Sequence, residues 1–340
     1  MSNNRYSRQT LFSEIGVDGQ RKLLSSRVLL VGCGALGASH AEMLARAGVG
    51  FIRIVDRDFV EFSNLQRQTL YSESDADERL PKAIAARNRL AEINSEIEID
   101  AVVADVNHAN IESLVDDVDL VLDGTDNFQV RYLVNDACVK SGTTWIYGAA
   151  VSSYGTAMTI IPGKTPCLRC IFEEMPAAGS SPTCDTAGVI QPIISTISSI
   201  QVTEAIKILT GKPQKLHGSL IQVDIWENDW RKIKLGRPNE ECPTCQAKDF
   251  EFLRAENAEF STSLCGRDAV QVQPPNSSVI DLQKLADSLE NIGTIKLNEY
   301  LLRLNVEDYE LTVFKDARAI IRGTDDTTVA RSVYAKYIGN

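Results

Sequence analysis

The chain has 340 residues, 44% of them apolar and 24% charged, the balance of a soluble globular protein with room for one large domain and a smaller one. Its 35 Lys and Arg against 46 Asp and Glu leave a net charge of -11, which argues against a nucleic-acid backbone as the main partner. The polar start "MSNNRYSRQ" has no apolar signal core, and the longest uncharged stretches are interrupted by Ser, Thr, Gly and Pro, so the sequence predicts no membrane span and a cytoplasmic protein.

Arg27–Gly32 (RVLLVG) predicts a first strand ending in glycine, and Leu36–Ala47 a helix. Gly50–Asp56 (GFIRIVD) is a second strand. A helix follows from about Pro81 to Ile93, with Pro81 in the first turn, where its missing N–H is tolerated. EIEIDAVVAD predicts a third strand and Asp117–Asp123 a fourth; a helix from Asn127 and a strand at TTWIYGAA continue the alternation. Such alternation folds as a doubly wound, mostly parallel, Rossmann-like α/β sheet. PIISTISSIQVTEAIKILTGKP then predicts a mostly buried helix, with Pro192 at its start, Gly211 at its end and Pro213 preventing continuation. Residues 248–263 turn acidic and polar and predict a linker between a first domain, 1–247, and a small α+β domain, 264–340. That second unit has a strand near AVQVQP, a helix at SVIDLQKLADSLE, short strands through LTVFKDARAIIRG and a last helix at TTVARSVYAKYIG.

Chemistry concentrates where the predicted parallel strands end. GCGALG, with Gly32, Gly34 and Gly37, follows the first strand and opens a helix, so backbone N–H groups and a helix N-terminus can face a phosphate. Asp56 closes the second strand, about 20 residues on, where a carboxylate can hold ribose hydroxyls. A plain strand-to-helix turn is the bland alternative, and the paired Asp56 makes nucleotide binding the better reading. A phosphate loop of the G-x-x-x-x-G-K-[ST] kind is absent: Met158 stands where the first glycine before Gly163-Lys164-Thr165 should be. DGTDN, with Asp123, Asp126 and Asn127, lies past the fourth strand, and NLQRQ (Asn64–Gln68) and Lys82 lie in the connection leaving the second. All of these share one rim of a doubly wound sheet, where ligands bind. Asp126 could simply cap the next helix, and Arg131 could be helix-surface polarity, a reading as good as support for the site. The turn and Asp56 also suit an NAD-dependent oxidoreductase, but NLQRQ, DGTDN and the lack of an obvious proton donor speak against it.

Four of the eight cysteines form two pairs, Cys167-x-x-Cys170 and Cys242-x-x-Cys245. Four thiolates suit closed tetrahedral coordination of a structural zinc; redox pairs are the alternative, which two pairs in one domain disfavour. Cys33 and Cys138 sit in apolar patterns and are expected to be buried small hydrophobes. Cys184 follows a run of Ala, Gly, Ser and Pro with the composition of a mobile loop.

Taken together, RYSRQ, VGCGALG, VDRDFVEFSNLQRQ, Pro81-Lys82, DGTDN and the two C-x-x-C pairs resemble the MoeB/ThiF/HesA adenylyltransferases, themselves similar to the adenylation half of ubiquitin-activating enzymes. The likeness runs from about Arg5 to Cys245, with Ala35 standing where many members have glycine. The resemblance implies that ATP and Mg²⁺ convert the C-terminal Gly-Gly carboxylate of a ubiquitin-like sulfur-carrier protein into an acyl-adenylate, releasing pyrophosphate, with Zn²⁺ in the four thiolates. It puts Gly32, Gly34, Ala35, Gly37, Asp58, Ser63, Leu65, Gln66 and Asn127 around the nucleotide, and Asp56 on the ribose. Asn64 would position phosphate or ribose, Arg67 and Lys82 would meet the phosphates, and Asp126 would hold Mg²⁺. Arg8, matching the family's N-terminal arginine, is expected to reach a neighbouring subunit's site, which implies a homodimer. In the thiamine branch a cysteine at the place of Cys184 is proposed to bond the activated carrier. A spare loop thiol is the even alternative, and Asp185 should raise that thiol's pKa. The region after about Leu264, with Cys265 ahead of it, matches no rhodanese pattern, so a separate sulfur donor is expected. Thiamine and molybdopterin carriers both stay open.

This chemistry fits the composition. A C-terminal carboxylate, with a pKa near 3.5, is already ionised and needs no general base. The three histidines, His40, His108 and His217, lie outside every motif. The barrier is repulsion between carboxylate and polyphosphate, which positioned cations relieve.

Overall fold

A computed structural model describes residues 4–176, 184–254, 261–264, 268–273 and 279–339. The chain divides into two compact units, Met1–Asn257 and Ala258–Asn340.

The first unit is built on one sheet of eight strands: β1 (Arg27–Val31), β2 (Phe51–Asp56), β3 (Glu98–Val103), β4 (Leu120–Asp123), β5 (Thr144–Val151), β6 (Tyr154–Ile160), β7 (Ser219–Asp224) and β8 (Asp229–Lys234). Their order is β3-β2-β1-β4-β5-β6-β7-β8. Pairing is parallel from β3 through β5 and antiparallel from β5 to β8. Val31 is in register with Val55 on one side and Asp123 on the other, so the carboxyl ends of β1, β2 and β4 lie level. Chain order reverses across β1, which is the switch point where such sheets bind ligands.

The apolar run of β1 splits between the two sheet faces as a buried parallel strand requires. Val28 and Leu30 join Ala38, Ala41 and Leu44 of the helix Ala35–Ala47, Leu90 of Lys82–Ile93 and Val202, Ala205 and Leu209 of Gln191–Leu209. Leu29 and Val31 face the other way, onto Tyr132, Val134 and Ala137 of the helix Phe128–Ser141. The helix expected from Pro81 begins at Lys82, with Pro81 as its cap.

The antiparallel half, β6 to β8, lies outside the sequence expectations. A tight turn reverses β5 into β6, with Ser152 at φ +56, a conformation its sequence does not advertise. Met158 is buried within β6, so Gly163–Thr165 follow a strand and lead into the first C-x-x-C pair. The expected linker is in part packed structure: Phe250, Phe252 and Leu253 rest against the core that contains Tyr132, and Ser261–Leu264 pairs as β9. Residues 255–260 of it lie outside the described residues.

His40 is a buried member of the helix Ala35–Ala47, its Nε2 2.8 Å from Oε1 of Gln201 on Gln191–Leu209. Burial pushes its pKa down to about 4 from an ordinary 6.5. The unfolded chain therefore takes up a proton at a higher pH than the folded one. Stability from keeping His40 neutral is complete above pH 6.5 and is lost as pH falls towards 4, by about 3 kcal/mol in all. Urea unfolding across this window is expected to show that slope in the parent and not in His40→Gln; identical slopes would remove His40 from the account.

The second unit is a six-stranded antiparallel sheet, β9 (Ser261–Leu264), β10 (Ala269–Val272), β11 (Thr294–Leu297), β12 (Leu301–Val306), β13 (Tyr309–Phe314) and β14 (Ala319–Arg322), in the order β11-β12-β13-β14-β10-β9. The helices Leu282–Leu289 and Thr327–Tyr337, capped by Asp281 and Asp326, cover the face bearing Val270, Leu302, Leu304, Leu311, Val313 and Ile321. Among the described residues, no helix is long and apolar enough to cross a membrane.

Candidate functional site

The turn after β1 is built for close backbone approach. Gly32 has φ +85, and a Cβ there would lie 2.8 Å from Gly124 O, while one at Gly37 would overlap Gly32 O. Gly34 caps the helix Ala35–Ala47 without a side chain, so the first-turn N–H groups are left for a ligand. Asp56, at the end of β2, reaches across to this turn. Its Oδ2 accepts from Cys33 N at 2.6 Å and its Oδ1 from Asp58 N at 2.7 Å. Burial raises the Asp56 pKa, against the pull of Lys82. Asp56 thus braces the turn through both carboxylate oxygens. Tyr71, unremarked in the sequence, completes the brace by donating to Cys33 O at 2.6 Å.

The chain leaving β2 folds back on the same rim. Lys82 is buried, its Nζ 3.1 Å from Asp58 Oδ2 and its N–H bonded to Asp58 O at 2.9 Å. Asn64 is also buried and closes a capping box, its Oδ1 accepting from Glu61 N at 3.1 Å. Arg67 is half-buried and donates to Ser63 O at 2.9 Å. Ser63 and Gln66 are exposed, while Leu65 packs into the core beneath the sheet, so its part at a site is through backbone only. Gln68, absent from the sequence candidates, is a buried amide at the end of this turn.

The loop after β4 divides its labour. Asp123 is structural: Oδ1 accepts from Thr125 N at 2.9 Å, and Oδ2 meets Arg131 Nε at 3.0 Å. Arg131 is buried and also donates to Thr125 O at 2.6 Å, which overturns its reading as helix-surface polarity. The helix cap is Asn127, whose Oδ1 accepts from Gln129 N at 2.8 Å. Asp126, freed from capping, stands exposed beside the rim. Burial works against charge on Arg57 and Arg131, and carboxylates that include Asp126 hold both guanidiniums charged. The same field joins Arg57 to Asp56 and Asp58. Arg57 was another residue the motif reading passed over; pairing with Asp105 Oδ1 at 3.2 Å fixes it there.

Structure therefore gathers the glycine turn, Asp56, Asp58, Asn64, Arg67, Lys82, Asp126 and Asn127 around the ends of β1, β2 and β4. Arg8 is elsewhere. It is exposed on the short helix Ser7–Thr10, whose Gln9 bonds Ala47 O at 2.8 Å. Ala47 ends the helix that Gly34 caps, and 13 residues of helix span about 20 Å. Cys184 opens the one-turn helix Cys184–Ala187, which packs against β5. Ser152 N bonds Gly188 O at 2.7 Å and Ile190 N bonds Ser152 O at 3.0 Å, pinning the end of this segment at the carboxyl end of β5. Residues 177–183, the expected mobile run, lie outside the described residues, as does Cys265. Cys33 and Cys138 are buried, and burial pushes the Cys33 thiol up to about 12.

The two C-x-x-C pairs meet. Sγ–Sγ separations are 3.8 Å for Cys167–Cys170, 3.6 Å for Cys167–Cys242 and 3.4 Å for Cys170–Cys245, with all four sulfurs within 4.8 Å. A tetrahedron of thiolates about 2.3 Å from zinc has edges of about 3.8 Å, so the donor set fits that metal. None of the four is in a disulfide. Successive residues of Phe128–Ser141 hold both knuckles: Asn135 Oδ1 accepts from Leu168 N at 2.9 Å, and Asp136 Oδ1 accepts from Thr244 Oγ1 at 3.0 Å.

Residues 6–244 match the model of the ThiF family. The chain is 44% identical to the sulfur carrier protein ThiS adenylyltransferase of Bacillus subtilis, over 98% of this chain and 99% of that one. It is 40% identical to the SAMP-activating enzyme E1 of Haloferax volcanii, over 71% of this chain and 88% of that one. Among solved structures, E. coli MccB with ATP superposes with a TM-score of 0.61 at 25% identity, covering 72% of this chain and 75% of that one. A four-cysteine cluster and a match over residues 6–244 agree with the relatives: the chain belongs to the ThiF family.

Proposed function

We propose that the protein adenylates the C-terminal Gly-Gly carboxylate of a ubiquitin-like sulfur-carrier protein of the ThiS type, in the cytoplasm, with ATP as the donor. Near-full-length similarity to a ThiS adenylyltransferase is the observation that carries this reading. In the reaction a carboxylate oxygen attacks the α-phosphorus, the bond to the β-phosphate breaks, and pyrophosphate leaves. No proton changes hands, which suits a set of candidate residues without histidine. Arg67 and Lys82 oppose the polyphosphate charge, the helix N-terminus beside Gly34 and Ala35 supplies N–H donors, and Asp56 meets the ribose. Asn64 holds the turn that carries Arg67. Asp126 and the backbone near Asn127 would hold Mg²⁺, which when bound neutralises charge on the departing pyrophosphate. Zinc in Cys167, Cys170, Cys242 and Cys245 would be structural.

Arg8, whose short helix is tied to the far end of the helix Ala35–Ala47, would serve a second subunit's nucleotide in a homodimer. A nicotinamide-dependent oxidoreductase, the alternative the glycine turn allowed, gains no support from the relatives or from the cationic rim. The test is exchange of labelled pyrophosphate into ATP with a Gly-Gly-ended carrier present; exchange that ignores the carrier's C-terminus would end this reading.

Sulfur would come from a separate donor, and Cys184 would bond the activated carrier, a reading supported by the tie between Ser152 and the end of its segment at Gly188 and Ile190. Cys184→Ala is expected to keep adenylate formation and to slow thiocarboxylate formation, with a thiol-sensitive adduct at Cys184 in the parent by mass spectrometry. Thiocarboxylate at the parent rate in the variant would leave Cys184 a loop residue.

A further inference from the structure

Neighbouring side chains of the helix Phe128–Ser141 each fasten a different piece of the first unit. Arg131 holds the loop after β4, and Asn135 and Asp136 hold the two cysteine knuckles. Tyr132 holds a piece that no motif covers. Its hydroxyl lies 2.8 Å from Phe172 O and 2.9 Å from Glu174 O, and its one proton is shared between the two carbonyls. Burial pushes the Tyr132 pKa up to about 12 from an ordinary 10, so that proton stays on the oxygen.

Residues 172–176 follow the first knuckle in neither helix nor strand, so their carbonyls have no regular ladder to use. The Tyr132 ring is fully buried, its centroid 5.0 Å from that of Phe252, with the Arg169 guanidinium over both rings. A phenylalanine would fill that space equally well. What the hydroxyl adds is the tie to Phe172 and Glu174. Cys184 lies ten residues beyond Glu174 in the sequence. The far end of its helix is tied too, Ser152 N to Gly188 O and Ile190 N to Ser152 O, by backbone bonds that any side chain leaves in place. Of these two feet, only the one at Tyr132 hangs on a side chain.

We propose that Tyr132 is a positioning residue for the step at Cys184. By holding Phe172 and Glu174 to the helix that also braces the loop after β4, it sets where the stretch leading to Cys184 departs. The proposal rests on the reading of Cys184 as the group that bonds the activated carrier. In that step the Cys184 sulfur attacks the carrier's terminal acyl carbon, the bond from that carbon to the AMP oxygen breaks, AMP leaves, and the thiol proton goes to solvent. Adenylate formation is assigned to residues on other elements, so the two steps should respond differently to Tyr132.

The test is Tyr132→Phe in the full-length chain beside the parent. The variant should keep the parent's zinc content and unfold about 2–4 °C lower, the shift for roughly one hydrogen bond. Carrier-dependent ATP–pyrophosphate exchange should stay within about twofold of the parent. With ATP and a Gly-Gly-ended carrier, the thiol-sensitive adduct at Cys184, followed by mass spectrometry, should form about 5- to 30-fold more slowly, the factor that one buried hydrogen bond carries. Amide hydrogen exchange should quicken by a similar factor in peptides covering residues 172–175 and not in those from β1. Adduct formation at the parent rate overturns the proposal. So does an equal fall in adduct formation and pyrophosphate exchange, which marks a general structural loss. Should the parent itself form no adduct, the Cys184 reading fails and takes the assigned step with it. Faster amide exchange at residues 172–175 would then still uphold the anchoring by Tyr132, and unchanged exchange there would overturn it.

Discussion

In Asp126→Ala, carrier-dependent ATP–pyrophosphate exchange is expected to fall by about 10³-fold, and in Arg67→Ala by about 10²- to 10³-fold, the scale of removing one preorganised charge contact from a transition state. The structure makes these substitutions clean. Asp126 is exposed and the helix cap belongs to Asn127, so its removal leaves the helix Phe128–Ser141 intact. Arg67 donates to one carbonyl of its own turn. Both variants should therefore unfold within about 0.5 kcal/mol of the parent, as surface changes away from packing do. Arg131→Ala should behave differently, because it strips a buried partner from Asp123 and damages stability as well as rate. Near-normal exchange in both Asp126→Ala and Arg67→Ala would remove those residues from the chemistry.

Purified protein is expected to carry one zinc per chain, and Cys242→Ser to lose it with a drop in stability of about 4 kcal/mol or more, the scale at which metal loss shows. Cys242 is buried, and its knuckle leads directly into Phe252 and Leu253 packed near Tyr132. Losing the ligand frees that whole return of the chain. The rim residues lie on other elements, so the adenylation rate of the variant still folded should fall less than its stability. Protein without zinc, by elemental analysis of an unreduced preparation, would refute the assignment.

The parallel half was legible because its central strands, β1 and β4, are buried on both faces and read as unbroken apolar runs: RVLLV and LVLD leave little choice. β7 and β8 were not legible, because β8 (DWRKIK) is an exposed edge strand whose side chains carry no burial pattern. At the rim, the residues found from sequence were those in motifs. Asn127 takes the capping role that was the bland alternative for Asp126, a choice between neighbours in one polar loop that spacing alone cannot make. Arg131 stayed open between helix surface and support for the site because its surroundings, Asp123 and Tyr147, come beside it only by strand pairing. Gln68, one residue beyond Arg67, differs from its exposed neighbour Gln66 only in the direction a turn gives it.

The backbone contact between the turns after β1 and β4 has a thermodynamic meaning. A Cβ on Gly124 would meet Gly32 O at 2.7 Å and Gly37 N at 2.9 Å, so the glycine turn and the segment that carries Asp126 are seated on each other without slack. Neither can shift alone. On the proposed assignment, cation affinity and nucleotide affinity are expected to be coupled, each changing the other by the same factor. Gly124→Ala would act as a wedge in that joint, weakening both affinities together while touching neither ligand.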